Sequence, residues 1–247
     1  MHKIVVIGDI HYQLDRLEVI LEEVSQIEDL DGILLVGDIG LDRDRRLPNK
    51  LAMRTAQIKS IQTVVDLIKA KINCPIFYVP GNHDPSGILL PENADRTSKN
   101  LNGLEIFGIG GAPGDFGFPY EWQDSTIGIS SIPSCDILLT HAPPYGTTID
   151  LYDEGREHIG SKAIRDFALK HKGIAFCGHV HESSGFDILN RCLYVNVGAL
   201  GPPAGHTGYC LATRELEETG FSWSVELIDI EDPERNRSMF YLWEDEC

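Results

Sequence analysis

The sequence predicts an α/β fold with mixed sheets, on three observations. Short apolar runs rich in Val and Ile alternate with segments of helical periodicity through the first half. The last third carries apolar runs joined by short turns, as antiparallel strands do. Five of the apolar runs also end in side chains able to hold a metal ion, at the strand ends where open α/β sheets build their sites.

Taken in order, strand Ile4–Gly8 precedes a helix over Leu14–Ile27, marked by Leu14, Leu17, Ile20, Leu21, Val24 and Ile27. Strand Ile33–Gly37 leads through a polar loop, Leu41–Lys50, to a helix over Leu51–Ala70 with Ile58, Ile61, Val64, Val65 and Ile68 on one side. Strand Ile76–Val79 follows Pro75. Alternation of this kind implies parallel strands with right-handed helical crossovers. Gly and Pro are dense through Pro85–Pro119, interrupted by strand Leu104–Ile109. A βαβ unit returns as Asp136–Thr140, Ser161–His171 and Gly173–Cys177. Strands Phe186–Leu189, Cys192–Val197, Tyr209–Thr213 and Phe221–Asp229 follow in antiparallel style. Neither a repeat nor a low-complexity linker interrupts the chain, so residues 1–247 are expected to form a single domain. The acidic tail 231–247, with Phe240, Tyr241 and Trp243, is expected to dock on the body or on a second subunit of a homo-oligomer.

Bulk properties narrow the function. A net charge of −17 over 247 residues disfavours non-specific binding to nucleic acid, because no excess of Lys and Arg offsets phosphate repulsion. No apolar run approaches the roughly 20 residues that span a bilayer, so no membrane partner is expected. Met1-His2-Lys3 runs straight into a strand, without a signal-peptide pattern. The six cysteines are scattered, with no C-x-x-C pair, which suits reduced thiols in a cytoplasm. Cys177, inside an apolar strand, is expected to pack rather than react.

The strand-end residues carry the chemistry. The first strand delivers Asp9 and His11, the second Asp38, and the third Asn82, His83 and Asp84. The fourth delivers His141, and the fifth His179 and His181. Singly, each has a plain structural explanation: Gly37-Asp38 as a turn, Asp9 as a helix N-cap, residues 82–84 as a polar loop. Together, five independent turns would all have to carry metal-competent side chains at strand mouths. The set points to a dinuclear metal centre.

In order and spacing, D-x-H, GD, GNHD, H and GHVH resemble the calcineurin-like metallophosphoesterase family over residues 3 to about 198. Leu139–Pro144 and Gly178–Ser183 are similar to its small prokaryotic branch, which includes phosphoesterases related to class III cyclic-nucleotide phosphodiesterases. The resemblance implies a four-layer αββα sandwich with two divalent metals at its rim. Asp9, His11 and His181 would bind the first ion, Asn82, His141 and His179 the second, and Asp38 would bridge them. His83 would stay unligated beside the phosphate.

Elementary chemistry agrees with those roles. Two ions bring about +4 against the carboxylates of Asp9 and Asp38, leaving a positive pocket for an anionic ester. A water shared by ions roughly 3.5–4 Å apart is deprotonated near neutral pH and attacks phosphorus in line. His83 is the candidate general acid for the leaving oxygen, and Asp84 either orients it or makes a turn contact. The mixed N and O ligands suit Mn first, then Fe, Zn or Co, with Mg a weaker fit. The expected substrate is a small phosphodiester of cyclic-nucleotide or aryl type. A phosphomonoesterase or a nuclease on the same site is the alternative, and a non-catalytic scaffold would have lost ligands that are all retained here.

Departures from other branches matter too. Protein phosphatases of the superfamily carry GDxVDRG, whereas Gly37-Asp38-Ile39-Gly40-Leu41-Asp42-Arg43 puts Leu41 where their acidic residue stands. Purple acid phosphatases need a tyrosine ligand near the bridging aspartate, and lipid A pathway hydrolases have Arg at the position of His83; neither pattern fits. Around the site, Arg43, Arg45 and Arg46 either clamp phosphate or pair with Asp42 and Asp44. The loop Gly110–Phe118 serves either as a stacking platform or as a connector. Asn196 is expected to support the ligands from behind, and His158 and His206 to lie outside the site.

Overall fold

The computed structural model describes residues 1–42, 47–127 and 132–244. Its strands are β1 His2–Ile7, β2 Gly32–Leu35, β3 Ile76–Tyr78, β4 Ser98–Leu101, β5 Leu104–Ile109, β6 Ala112–Pro113, β7 Glu121–Trp122 and β8 Ile137–Thr140. There follow β9 Leu151–Tyr152, β10 Glu157–His158, β11 Gly173–Cys177, β12 Gly185–Leu189, β13 Cys192–Asn196, β14 Gly208–Glu217, β15 Gly220–Asp229 and β16 Arg237–Glu244. The α-helices are α1 Leu14–Val24, α2 Lys50–Lys71 and α3 Lys162–Ala168. Asn49 caps α2 by accepting from the Ala52 amide, and Ser161 caps α3 by accepting from the Ile164 amide.

Two six-stranded sheets form, in the orders β16-β15-β14-β1-β2-β3 and β12-β13-β11-β8-β5-β4. In the first, β1, β2 and β3 are parallel, and β14, β15 and β16 add antiparallel. In the second, β13, β11, β8 and β5 are parallel, with β12 and β4 antiparallel at the two edges. Both sheets are therefore mixed.

Side-chain alternation builds the layers. Ile4 and Val6 of β1 and Leu34 of β2 face the second sheet, meeting Ile137, Leu139, Ile174 and Phe176 in the central core. Val5, Ile7, Ile33 and Leu35 point the other way, against Leu17, Leu21, Ile61, Val64 and Ile68 of α1 and α2. The outer face of the second sheet (Leu138, Ala175, Cys177, Tyr194) packs on Ile164 and Phe167 of α3. The result is a four-layer αββα sandwich, and it explains why the central strands read as unbroken apolar runs: both of their faces are buried. Cys177 lies fully in this packing, its thiol pushed well above the ordinary range by burial.

Within the two six-stranded sheets, two strands fall where the sequence gives no strand signal. The polar β4 is an edge strand. The tail residues 237–244 form β16, antiparallel to β15. Trp243 is 2 % exposed there, and its indole N–H donates to the carbonyl of Arg191 at 2.7 Å, tying the edge of one sheet to the other. Truncating a buried tryptophan of this kind costs about 3–5 kcal/mol. Helix α1 ends at Val24, earlier than its apolar spacing extends, because Ile27 packs from a following turn. No helix among the described residues is long and apolar enough to cross a membrane.

Candidate metal centre

The parallel strands β1, β2, β3, β8 and β11 each end in a turn that brings polar residues into one crevice. The backbone leaves the ordinary regions there: Asp9 (φ 43°), His11 (46°), Asp38 (47°) and His179 (69°) are all left-handed. For non-glycine residues such conformations are costly and cluster at sites where the surroundings enforce them. The enforcement is visible. The His11 amide donates to the Asp38 carbonyl at 2.7 Å, and the Gly178 amide to the His141 carbonyl at 3.0 Å, joining the turns in pairs. Gly37 and Gly178 are required by closeness: a Cβ would stand 2.3 Å from Nδ1 of His141 at the first and 2.0 Å from Oδ2 of Asp9 at the second.

Three groups able to hold an ion result among the described residues: Asp9, His11 and His181 offer atoms within 4.8 Å of one another, as do Asp9, Asp38 and His141, and His11, Asp42 and His83. Nε2 of His181 is 3.3 Å from Oδ1 of Asp9. Oδ2 of Asp38 lies 3.7 Å from Nε2 of His11 and 3.6 Å from Nε2 of His141, so the carboxylate at position 38 stands between the two histidines. Oδ1 of Asn82 is 2.9 Å from the same nitrogen of His141. The ring of His179 packs 5.0 Å from that of His141, and its amide donates to both oxygens of Asp9 at 3.1 Å.

The donor atoms fit cations. Nδ1 of His141 faces the carbonyl of Val36 at 2.8 Å, which can only accept, so the neutral ring carries its proton there. Its Nε2 lone pair then points at two oxygens, from Asn82 and Asp38, an arrangement that calls for an electropositive guest. Nε2 of His11 is buried, aimed at the cluster, and has no hydrogen-bond partner among the described residues. Burial favours the uncharged ring of His179 and, with His141 nearby, brings its pKa down to about 3, so it is ready to ligate. Burial would raise Asp9, but the His181 hydrogen bond and the imidazoles of His141, His181 and His11 hold it near 2.

One residue that sequence reasoning left in a loop belongs to the site. Oδ1 of Asp42 accepts from Nδ1 of His83 at 2.7 Å and meets Nδ1 of His11 at 2.9 Å. It stands next to Leu41, so the acidic residue missing at that position is supplied one residue later. Burial opposes the charge on both rings, yet the Asp42 contact wins in each: His83 is raised, and His11 reaches about 9. Asp42 itself is held well below the usual carboxylate range by those two contacts, against its partial burial.

Asp84, grouped with His83 as a candidate catalytic residue, makes the turn contact instead. Its Oδ2 accepts from the amides of Ile39 and Gly81 at 3.0 and 2.9 Å, and its Oδ1 from Gly40 at 3.0 Å. With both oxygens committed to backbone, it fastens the second and third turns together. Gln57, a buried polar residue on α2, was also missed; its amide donates to the carbonyls of His83 and Leu41 at 2.6 and 3.2 Å. The signal was present as a polar residue interrupting the apolar face of the helix. Asn196 donates to the Val180 and Ile149 carbonyls at 2.9 and 3.1 Å and so steadies the turn that carries His179 and His181. Phe118 stacks on His83 at 4.3 Å between centroids. His158 pairs with Asp150 at 2.7 Å, away from the ligand groups. Arg43, Arg45 and Arg46 lie outside the described residues.

Comparison with known proteins gives the same picture. The family model of calcineurin-like phosphoesterases matches residues 2–183. An uncharacterized protein of Methanocaldococcus jannaschii is 30% identical over 213 residues, covering 78% of this chain and 87% of its own. One crystal structure aligns over 97% of this chain and 98% of its own with a TM-score of 0.66 and 17% identity, a likeness of fold. A predicted phosphoesterase from Streptococcus pneumoniae aligns over 97% and 98% at 14% identity, with a TM-score of 0.45. Members of this family typically hold two divalent metal ions, and the ligand groups built here at the strand ends are candidates for that role. With its metal-competent strand ends and its sandwich of mixed sheets, the chain belongs to the calcineurin-like phosphoesterase family.

Proposed function

We propose that this metal-dependent phosphoester hydrolase acts on small phosphodiesters, of cyclic-nucleotide or aryl type, in the cytoplasm and with manganese as the preferred metal. The observation that carries the diester reading is a pair of cavities flanking the ligand cluster. One, of about 350 Å³, is lined by His181 and His206. The other, of about 590 Å³, is lined by Phe118 and Gln57, which both touch His83. The first cavity borders the site through His181 and the second through the residues on His83, and a diester has two substituents to seat where a monoester has one.

Asp42 adds a third carboxylate beside Asp9 and Asp38, and the protonated His83 that it holds balances its charge, so two divalent ions would leave the pocket positive and suited to an anionic phosphate ester. Asp9, Asp38 and Asn82 with His11, His141, His179 and His181 would hold the metals. When bound, such ions polarise the phosphoryl oxygens and lower the pKa of a water shared between them. His83, its Nδ1 fixed by Asp42, presents Nε2 to the crevice and protonates the leaving oxygen.

Two assays test this in the Mn²⁺-loaded protein. Bis(p-nitrophenyl) phosphate is expected to exceed p-nitrophenyl phosphate in kcat/KM; the reverse order by tenfold would sink the diester reading. On methyl phenyl phosphate, whose leaving oxygen needs a proton, His83→Ala is expected to lower kcat by about 10²–10⁴-fold. An unchanged rate removes His83 from the chemistry.

A further inference from the structure

The cavity on the His83 side differs in character from the chain around it. Its volume of about 590 Å³ lies within the range of small-molecule sites. Leu47, Met53, Phe118 and Pro119 give it apolar walls, while Lys50 and Arg54 bring cationic groups. Among the described residues that line it there is no carboxylate, in a protein of net charge −17. The guanidinium of Arg54 donates to the Ser86 carbonyl at 2.7 Å, a neutral partner that orients the group, and no carboxylate pairs with it among the described residues. Lys50 stands on the first turn of α2, where unpaired backbone amides add positive potential. A cavity with low-dielectric walls and charges of one sign focuses the field on an anion.

Its position relative to His83 gives the cavity a role. Phe118 stacks on the imidazole with an interplanar angle of 28°, and Gln57 holds the His83 carbonyl. A group seated in this cavity is therefore on the side of the proton donor, which is the side of the departing oxygen.

We infer that the cavity between α2 and Phe118 receives the leaving group of the ester and selects an aromatic alcohol carrying a second anionic substituent, a carboxylate or a phosphate. The inference rests on the phosphodiesterase reading above. In the reaction, the P–O bond to this alcohol breaks as the oxygen of water bonds to phosphorus, and the alcohol leaves with the proton from His83. The apolar walls take the ring, and Lys50 and Arg54 take the anion.

The test uses two diesters with the same transferred group, methyl p-nitrophenyl phosphate and methyl 3-carboxy-4-nitrophenyl phosphate, with Mn²⁺-loaded full-length chain. The carboxylated ester is expected to be preferred by about tenfold in kcat/KM, mostly through KM, the size of one modest charge contact. In Lys50→Glu the ratio is expected to fall to unity or below, a change of one exposed side chain that leaves folding intact. Independently of turnover, equilibrium dialysis of 5-hydroxy-2-nitrobenzoate against the metal-free protein is expected to show binding that weakens in both Lys50→Glu and Phe118→Ala. Equal kcat/KM for the two esters, unmoved by Lys50→Glu, overturns the inference and leaves the phosphodiesterase reading standing. No hydrolysis of either ester overturns that reading, and dialysis then still decides whether the cavity takes an aromatic anion.

Discussion

Asp42 holds His83 and His11 through a single carboxylate oxygen, 2.7 Å from Nδ1 of one ring and 2.9 Å from Nδ1 of the other. An acceptor at Nδ1 fixes the same tautomer in both, turning Nε2 of each into the crevice. For His11 that nitrogen is the ligating atom; for His83 it is the one that delivers a proton. One short side chain thus couples metal binding to leaving-group protonation. Asp42→Asn is expected to reduce kcat on methyl phenyl phosphate by about 10–100-fold and to spare p-nitrophenyl esters, whose leaving group departs without help. The alkaline limb of the kcat/KM profile is also expected to move to lower pH, since the contact that raises His83 is gone. Equal losses on both leaving groups would contradict this coupling.

The same contact makes metal binding dependent on pH. In the metal-free protein His11 titrates at about 9, raised above its ordinary 6.5 mainly by Asp42, Asp38 and Asp9 against the pull of burial. A folded pKa above the unfolded one contributes stability that is complete below 6.5 and lost as pH rises through 9. The metal-free protein is therefore expected to melt at a lower temperature at pH 9 than at pH 6.5. Mn²⁺ must displace that proton, so its apparent affinity is expected to rise with pH, up to about tenfold per unit below 9. Calorimetry in buffers of different ionisation enthalpy checks it, with close to one proton released per first ion at pH 7.5.

The gathering of these side chains at one crevice was legible because each follows a strand of the buried sheets, and such strands announce themselves as short Val- and Ile-rich runs. Asp38, His141 and His181 needed only the order of the runs to be recognised as candidates. The pairing of Asp42 with His83 was not legible, since it joins residues 41 positions apart across a loop whose arginines offered nearer partners for the same carboxylate. The strand β16 escaped for another reason: Met239, Tyr241 and Trp243 face the core while Phe240 and Leu242 are exposed, so apolar residues occupy both faces and erase the alternation. Edge strand β4, with Ser98, Lys99 and Asn100 mostly in solvent, lacks the apolar face that marks a strand.

Gly178 shows how little room the ligand turns leave. Its missing side chain would fall 2.0 Å from Oδ2 of Asp9 and 3.2 Å from a Val36 methyl. Gly178→Ala is expected to push Asp9 out of position at a cost of about 1–3 kcal/mol, and to abolish the rise in melting temperature that Mn²⁺ gives the parent protein. A variant that keeps the full Mn²⁺ stabilisation would show that the carboxylate of Asp9 is not needed for binding.

Asp84 separates support from catalysis. Buried, with its carboxyl raised by desolvation and by the charge of Asp38, it still takes three backbone amides from the second and third turns. Asp84→Asn replaces one accepting oxygen by an NH₂ group and leaves at least one amide facing a donor. The expected loss is about 2–3 kcal/mol of stability, read as a lower urea midpoint with an unchanged slope. Removing the repulsion with Asp38 offsets part of that loss. Because His83 draws its proton affinity from Asp42 rather than from Asp84, the alkaline limb of the pH profile is expected to stay in place in Asp84→Asn and to move in Asp42→Asn. A limb that shifts equally in both would return Asp84 to the role of orienting the acid.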